Sequence, residues 1–270
     1  MNSGRRTRAL SALTFGQRIV LLLSLFVVVV FVISMLEPIP QDPGYHLFAD
    51  SRTLFGIPNF NDVVSNIGFA LVGVLGLFVV VGRWREIFLD SSHARPYLVF
   101  FVGIALVSLG SAFYHWAPSN ERLFWDRLPM SMGFMAISAA VFADRVDTRS
   151  GNGWLLYVLL GAGFASLIYW YWTESLGRGD LRFYALVQFY PMLALPLIIG
   201  LFPQFRYTVG RYLAWVILFY GLSKVFEHFD GEVFELLGHT ISGHTLKHVV
   251  AAIAPYFVVR MLLSRREMPG

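Results

Sequence analysis

Apolar residues in this chain fall in long unbroken runs rather than in alternation. Eight runs stand out, at about 18–36, 63–82, 96–115, 123–143, 154–173, 183–202, 211–227 and 241–263. Each is close to the roughly 20 residues a helix needs to cross a bilayer. Neither the period of two that marks a strand nor a repeat at fixed spacing persists. The short connections carry helix punctuation: Pro118 with Asn120, Gly151 with Gly153, Gly177 with Gly179. One connection, 37–62, is long, holds Pro38, Pro40 and Pro43, and is the place for an extramembrane substructure. The pattern predicts an all-α, polytopic transmembrane helix bundle.

Composition sharpens that reading. Residues AVILMFWYC make up 56% of the 270 positions and charged residues 14%, with a mean hydropathy of +0.61. A soluble domain carries about 25% charged residues, so a soluble enzyme and a disordered chain are both excluded. The first apolar run follows Arg5, Arg6 and Arg8, like a signal peptide. It is longer than an h-region and lacks an A-x-A-like site before Glu37, so a retained helix is predicted.

Lys and Arg outnumber Asp and Glu by 21 to 17. In a membrane protein that excess reports orientation, so nucleic acid is not expected as a partner. The N-terminus (Arg5, Arg6, Arg8, Arg18), alternate loops (Arg83, Arg85, Arg95; Arg145, Arg149; Arg206, Arg211) and the C-terminus (Arg265, Arg266) are basic. The intervening loops lean acidic, with Glu37, Asp42, Asp50 and Asp62, then Glu174 and Asp180, then Asp230, Glu232 and Glu235. Both termini are therefore predicted to be cytoplasmic.

Ionisable residues inside hydrocarbon are functional candidates by default. Three clusters interrupt the apolar runs: Ser111, His115 and Asp126; His244, Lys247 and His248; and Lys224, Glu227, His228 and Asp230. Ser111 and His115 are four apart, as are His244 and His248, so each pair shares a helix face. An H-x-x-x-H pair can offer two imidazoles to one metal ion. Topology brings His115, Asp126, His244 and His248 to one leaflet, the extracytoplasmic one. The chain has no cysteine, so no disulfide, thiolate nucleophile or Cys-ligated metal is possible. Three histidines with a water form the open site of a catalytic zinc, which acidifies that water and polarises a carbonyl. A nearby carboxylate can carry the proton, and a hydroxyl can donate to a developing oxyanion. Blander roles stand beside these: helix packing for Ser111, and an N-terminal carboxylate or a partner of Arg122 or Arg127 for Asp126. His46, His93 and His239 read as interfacial, Lys224 and Glu227 as a structural ion pair, and the loop around Asp50 and Arg52 as solvated.

The set Ser111-Ala-Phe-Tyr-His115, then Asp126, then His244-Thr-Leu-Lys-His248 resembles the alkaline ceramidases, seven-helix membrane hydrolases grouped with the adiponectin receptors. Asp62-Val-Val-Ser-Asn-Ile-Gly-Phe69 resembles the entrance of that family's first core helix. The resemblance implies a seven-helix hydrolase core over 59–270, preceded over 1–58 by an N-terminal transmembrane helix and an extracytoplasmic loop. It implies His115, His244 and His248 as zinc ligands, Ser111 as oxyanion donor and Asp126 as proton carrier. The substrate would be a membrane lipid amide of the ceramide type, cleaved at its C–N bond to a fatty acid and a sphingoid base. The calcium that the family's eukaryotic members bind would meet Asn59 in place of a carboxylate, and Lys247 stands where an aromatic is usual. The rival functions are a lipid esterase with the same zinc site, and a non-enzymatic receptor, channel or proton-coupled transporter using the buried His and Asp. A bacterial plasma membrane fits the chain. Protein partners are not specified.

Overall fold

The computed structural model describes residues 13–202 and 211–265. Arg5, Arg6, Arg8, Arg206 and Arg266 lie outside the described residues. Eight long helices occupy the places of the eight apolar runs: α1 (Phe15–Met35), α2 (Phe60–Gly82), α3 (Arg95–Trp116), α4 (Asn120–Arg145), α5 (Trp154–Ser175), α6 (Arg182–Leu201), α7 (Arg211–His228) and α8 (Gly243–Leu263). The bundle is all-α, with no strand among the described residues. Six of the eight are long and apolar enough to cross a membrane. The other two, α4 and α7, carry the charges Asp126, Arg127, Lys224 and Glu227, which face protein rather than lipid. The chain is a multi-pass membrane protein.

Local chemistry sets the ends. Thr14 and Gln17 form a reciprocal capping box at α1, and Ser119 and Ser242 accept the backbone N–H of Arg122 and Thr245 at the starts of α4 and α8. Pro118 follows the end of α3, as expected of a residue that cannot continue a helix. Helix α2 is interrupted at Ser65 and Asn66, where the Asn66 amide donates to the Asp62 carbonyl at 2.7 Å.

Small residues let the helices approach, as is usual where lipid supplies no hydrophobic drive between them. A Cβ at Gly110 would stand 2.2 Å from the Trp125 carbonyl oxygen, so glycine there allows α3 to lie against α4 at Asp126. A Cβ at Gly243 would stand 2.4 Å from the Phe226 carbonyl oxygen, which fixes the start of α8 on the end of α7. Helices α2, α3, α4, α6, α7 and α8 enclose a central cavity, while α1 lies outside against α6 through contacts such as Phe26 on Tyr190.

The long connection is not the solvated loop expected. Asp50 is buried and ion-paired with Arg52, which with Asn61 reaches the Thr240 carbonyl. Burial alone would raise the Asp50 pKa; hydrogen bonds from Arg52 and Asn61 hold it below the usual carboxylate value. The segment packs inward against the connection between α7 and α8, at Asp230 and Thr240.

Candidate metal centre and cavity

Three imidazoles from two helices meet beneath that loop. His115 ends α3, and His244 and His248 share one face of the first turns of α8. One nitrogen from each lies within 4.8 Å of the others, and all three side chains are buried. The i,i+4 spacing puts the pair on one face of α8, and the antiparallel packing of α3 brings in the third ring.

The surroundings orient these rings. Ser65 Oγ donates to the Asp62 carbonyl and lies 2.8 Å from His248 Nδ1. The hydroxyl has one proton, so His248 Nδ1–H donates back and the Nε2 lone pair is left for the centre. Asp230 accepts from the backbone N–H of His244 at 2.7 Å and of Ala49 at 3.0 Å, pinning loop and helix together. Thr245 donates to Asp62 at 2.6 Å. Asn59, in the left-handed region at φ 47°, donates its side-chain amide to the His115 carbonyl at 2.8 Å. The ring of Phe48 lies 4.6 Å from that of His115 and 4.7 Å from that of His244, roofing the cluster.

Both ring nitrogens of His115 are buried with no hydrogen-bond partner, as is Asp126 Oδ1. Leaving a buried polar atom unmade costs about 1–3 kcal/mol, so two on one ring is an unusual state for a plain core residue. Three buried imidazoles, each able to offer one nitrogen to a common centre, make the donor set a zinc ion takes. The residues present fit that metal. Lys247 works against it: its Nζ lies 3.2 Å from His244 Nε2 and 2.6 Å from Glu227 Oε1. Glu227, which also pairs with Lys224 at 2.5 Å, offsets that charge.

Ser111 and Asp126 both line the central cavity with His248 and Lys247. Asp126 sits two turns into α4 rather than in its first turn, so a helix-capping role belongs to Ser119 instead. Arg127 points away from Asp126 into a box of Tyr45, Trp170 and Tyr184, and Arg122 lies over Phe113, so neither is its ion-pair partner. Deeper in the bundle the lining turns apolar, with Phe69, Ile104, Met130, Phe134, Ile137 and Leu195.

The loop contributions escaped sequence reasoning. His46, expected at the interface, lies 2.9 Å from the Tyr114 hydroxyl and 3.0 Å from Asn120 Oδ1 beneath the roof. Tyr45 donates to Glu227 at 3.2 Å. A signal was present: three prolines in the one long connection mark a shaped segment. The expected Lys224–Glu227 pair forms, and Lys247 extends it into a triad.

The fold and site define a class: a multi-pass helical membrane protein with a buried three-histidine centre at one end of a central cavity. The family described as the dsRNA-gated channel SID-1 matches residues 13–212, most of the chain. The chain belongs to that family. No curated protein matches it. This overturns the resemblance to the alkaline ceramidases. That resemblance rested on five polar residues at spacings that unrelated helices can carry and on the short segment Asp62–Phe69, whereas the family match runs through α1 to α6. The matched stretch includes Ser111, His115 and Asp126 and ends before His244 and His248.

Proposed function

We propose that this chain is a zinc-dependent hydrolase acting within the membrane on an acyl amide or ester of a lipid. The observation that carries the reading is the pair of partnerless nitrogens on buried His115, facing His244 and His248 at the head of a cavity that also holds Ser111 and Asp126. The ceramide assignment came with the ceramidase resemblance and has no support apart from it; the lipid class proposed is an acyl bond flanked by a hydrocarbon chain.

His115, His244 and His248 would hold the metal, with Ser65 fixing the tautomer of His248. Bound zinc supplies Lewis acidity and lowers the pKa of water toward 7. Asp126 Oδ1, buried and unpaired, is the atom free to take a proton from water and return it to the leaving group. Ser111 Oγ, one turn from His115, lines the cavity beside Asp126 and can donate its proton to the acyl oxygen. The apolar walls take the acyl chain, and Phe48 with the folded loop keeps bulk water from the site.

The charge pattern supports an orientation with both termini cytoplasmic and the centre toward the extracytoplasmic leaflet, in a plasma membrane. Single cysteines at Ser119 and Arg149 label from opposite sides of sealed vesicles in that arrangement.

A second reading is favoured by the family itself: a channel or receptor in which the centre is structural and the cavity is part of a conduit. The family description includes double-stranded RNA as the gating ligand, so the expectation of no nucleic-acid partner becomes a point to test. Purified protein incubated with membrane lipid extracts separates the two. Release of free fatty acid, absent from a His244→Ala variant, supports the hydrolase. No release by zinc-loaded protein, together with RNA-dependent conductance in planar bilayers, supports the channel.

A further inference from the structure

A second cavity, about 450 Å³, opens at the other end of the bundle between the turn leading into α3 and the connection from α4 to α5. Arg95, at its rim, starts the helix that His115 all but ends. Twenty residues of helix at 1.5 Å each span about 30 Å, the thickness of the hydrocarbon. The pocket therefore lies at headgroup depth in the leaflet opposite the histidine centre.

Its lining is cationic and hydrogen-bonding: Arg95, Arg149, His93 and Ser92, with the buried Asn152 behind. Arg95 and Arg149 are exposed, and neither forms a salt bridge among the described residues. Two carboxylates stand nearby. Asp147, in the lining, accepts the Ser150 N–H at 2.7 Å, and Asp90 accepts the Ser92 N–H at 2.7 Å, so each is engaged by backbone. Asn152 is 5% exposed, and both its amide nitrogen and its amide oxygen lack a partner. An unsatisfied amide buried in a polar pocket is a group left for a ligand. Basic pockets between membrane helices at headgroup depth suit phosphate.

We propose that this pocket binds a phosphate-bearing anion, most simply the headgroup of an anionic phospholipid. The two guanidinium groups would take the phosphate oxygens, and the Asn152 amide would donate to the group deepest in the pocket. The site is independent of the histidine centre and of any hydrolysis there.

The test is native mass spectrometry of the detergent-purified full chain with phosphatidylglycerol, phosphatidylcholine or inorganic phosphate. Phosphatidylglycerol should be retained well above phosphatidylcholine. Arg95→Ala with Arg149→Ala should lower its retention about twenty-fivefold, from roughly fivefold for each arginine near a membrane surface. Both residues are exposed, so the variant should fold, and an unchanged melting temperature without lipid checks this. Arg85→Ala removes a charge from the same end of the bundle but outside the pocket, and should leave retention unchanged. Displacement of phosphatidylglycerol by inorganic phosphate at millimolar concentration would keep the phosphate site and assign its source to free phosphate. Equal retention of both lipids by the wild-type chain, or an equal loss in Arg85→Ala, would overturn the proposal.

Discussion

At the arginine-rich end of the bundle, Arg265 reaches directly to Asp144 and to the Tyr97 hydroxyl, with Phe88 and Tyr97 against its guanidinium. At the histidine end, His115 is equally buried, yet neither of its nitrogens has a partner, and one oxygen each of Asp126 and Asp62 is in the same state. Both ends bury ionisable groups where only lipid or protein surrounds them. The first brings opposite charges together within the fold. The second gathers groups of like chemistry, three imidazoles from two helices, which cannot satisfy one another without something between them. Buried charge alone is therefore a poor guide to function in this molecule; buried charge without a partner is the informative state.

The largest expected effect follows from that contrast. His115→Ala, His244→Ala and His248→Ala should each abolish lipid hydrolysis, read as free fatty acid released from a lipid extract, while the variant still purifies as a folded monodisperse protein. Activity that survives in any one of them removes that histidine from the ligand set. Asp126→Asn should fall next in size, keeping the fold and the metal but losing rate by a factor of about 10²–10⁴, the usual share of a positioned acid–base group. An unchanged pH–rate profile would return Asp126 to a packing role.

The other end should respond in the opposite sense. Asp144→Asn leaves Arg265 as a buried charge without its counter-ion, which costs about 3 kcal/mol or more, measured as a drop in melting temperature in detergent. Turnover per folded molecule should not change. A loss of turnover without a loss of stability would show that the two ends are coupled.

The smallest effect lies in the connection between α5 and α6. Hydrogen bonds from Arg182, which approaches to 2.8 Å, hold the Asp180 carboxyl at about 2. A carboxylate held below its unfolded value near 3.9 adds stability that is present above that pH and lost as the pH falls toward 2. Asp180→Asn should lower the melting temperature modestly at neutral pH, where that stability is fully present, and flatten the acid limb between about pH 4 and 2, so that variant and wild type converge near pH 2.

Much of this was readable from the chain because helices in lipid obey two simple rules. Apolar runs of the right length located all eight helices, and a spacing of four located the imidazole pair on α8. Ser111, His115 and Asp126 could be joined to that pair because short connections force α3 and α4 to be antiparallel. The roof was not readable. Phe48, Asn59 and His46 reach the centre through a 24-residue connection (36–59) whose path depends on Asp50, Arg52 and Asp230, residues brought together only by folding. Lys247 was visible but its partner was not, since Glu227 lies on another helix. The family was misread for a related reason: a few functional residues in correct geometry describe a chemistry, and the chemistry does not name the lineage.

Whether His115, His244 and His248 hold a metal decides between a reactive and a merely buried centre. Elemental analysis of the protein, purified without added metal or chelator, tests it most directly. Close to one zinc per chain is expected, removed by a strong chelator, lost in His115→Ala and retained in Asp144→Asn. A metal-free wild-type chain that also fails to take up zinc on addition, or full zinc retention by His115→Ala, would contradict it.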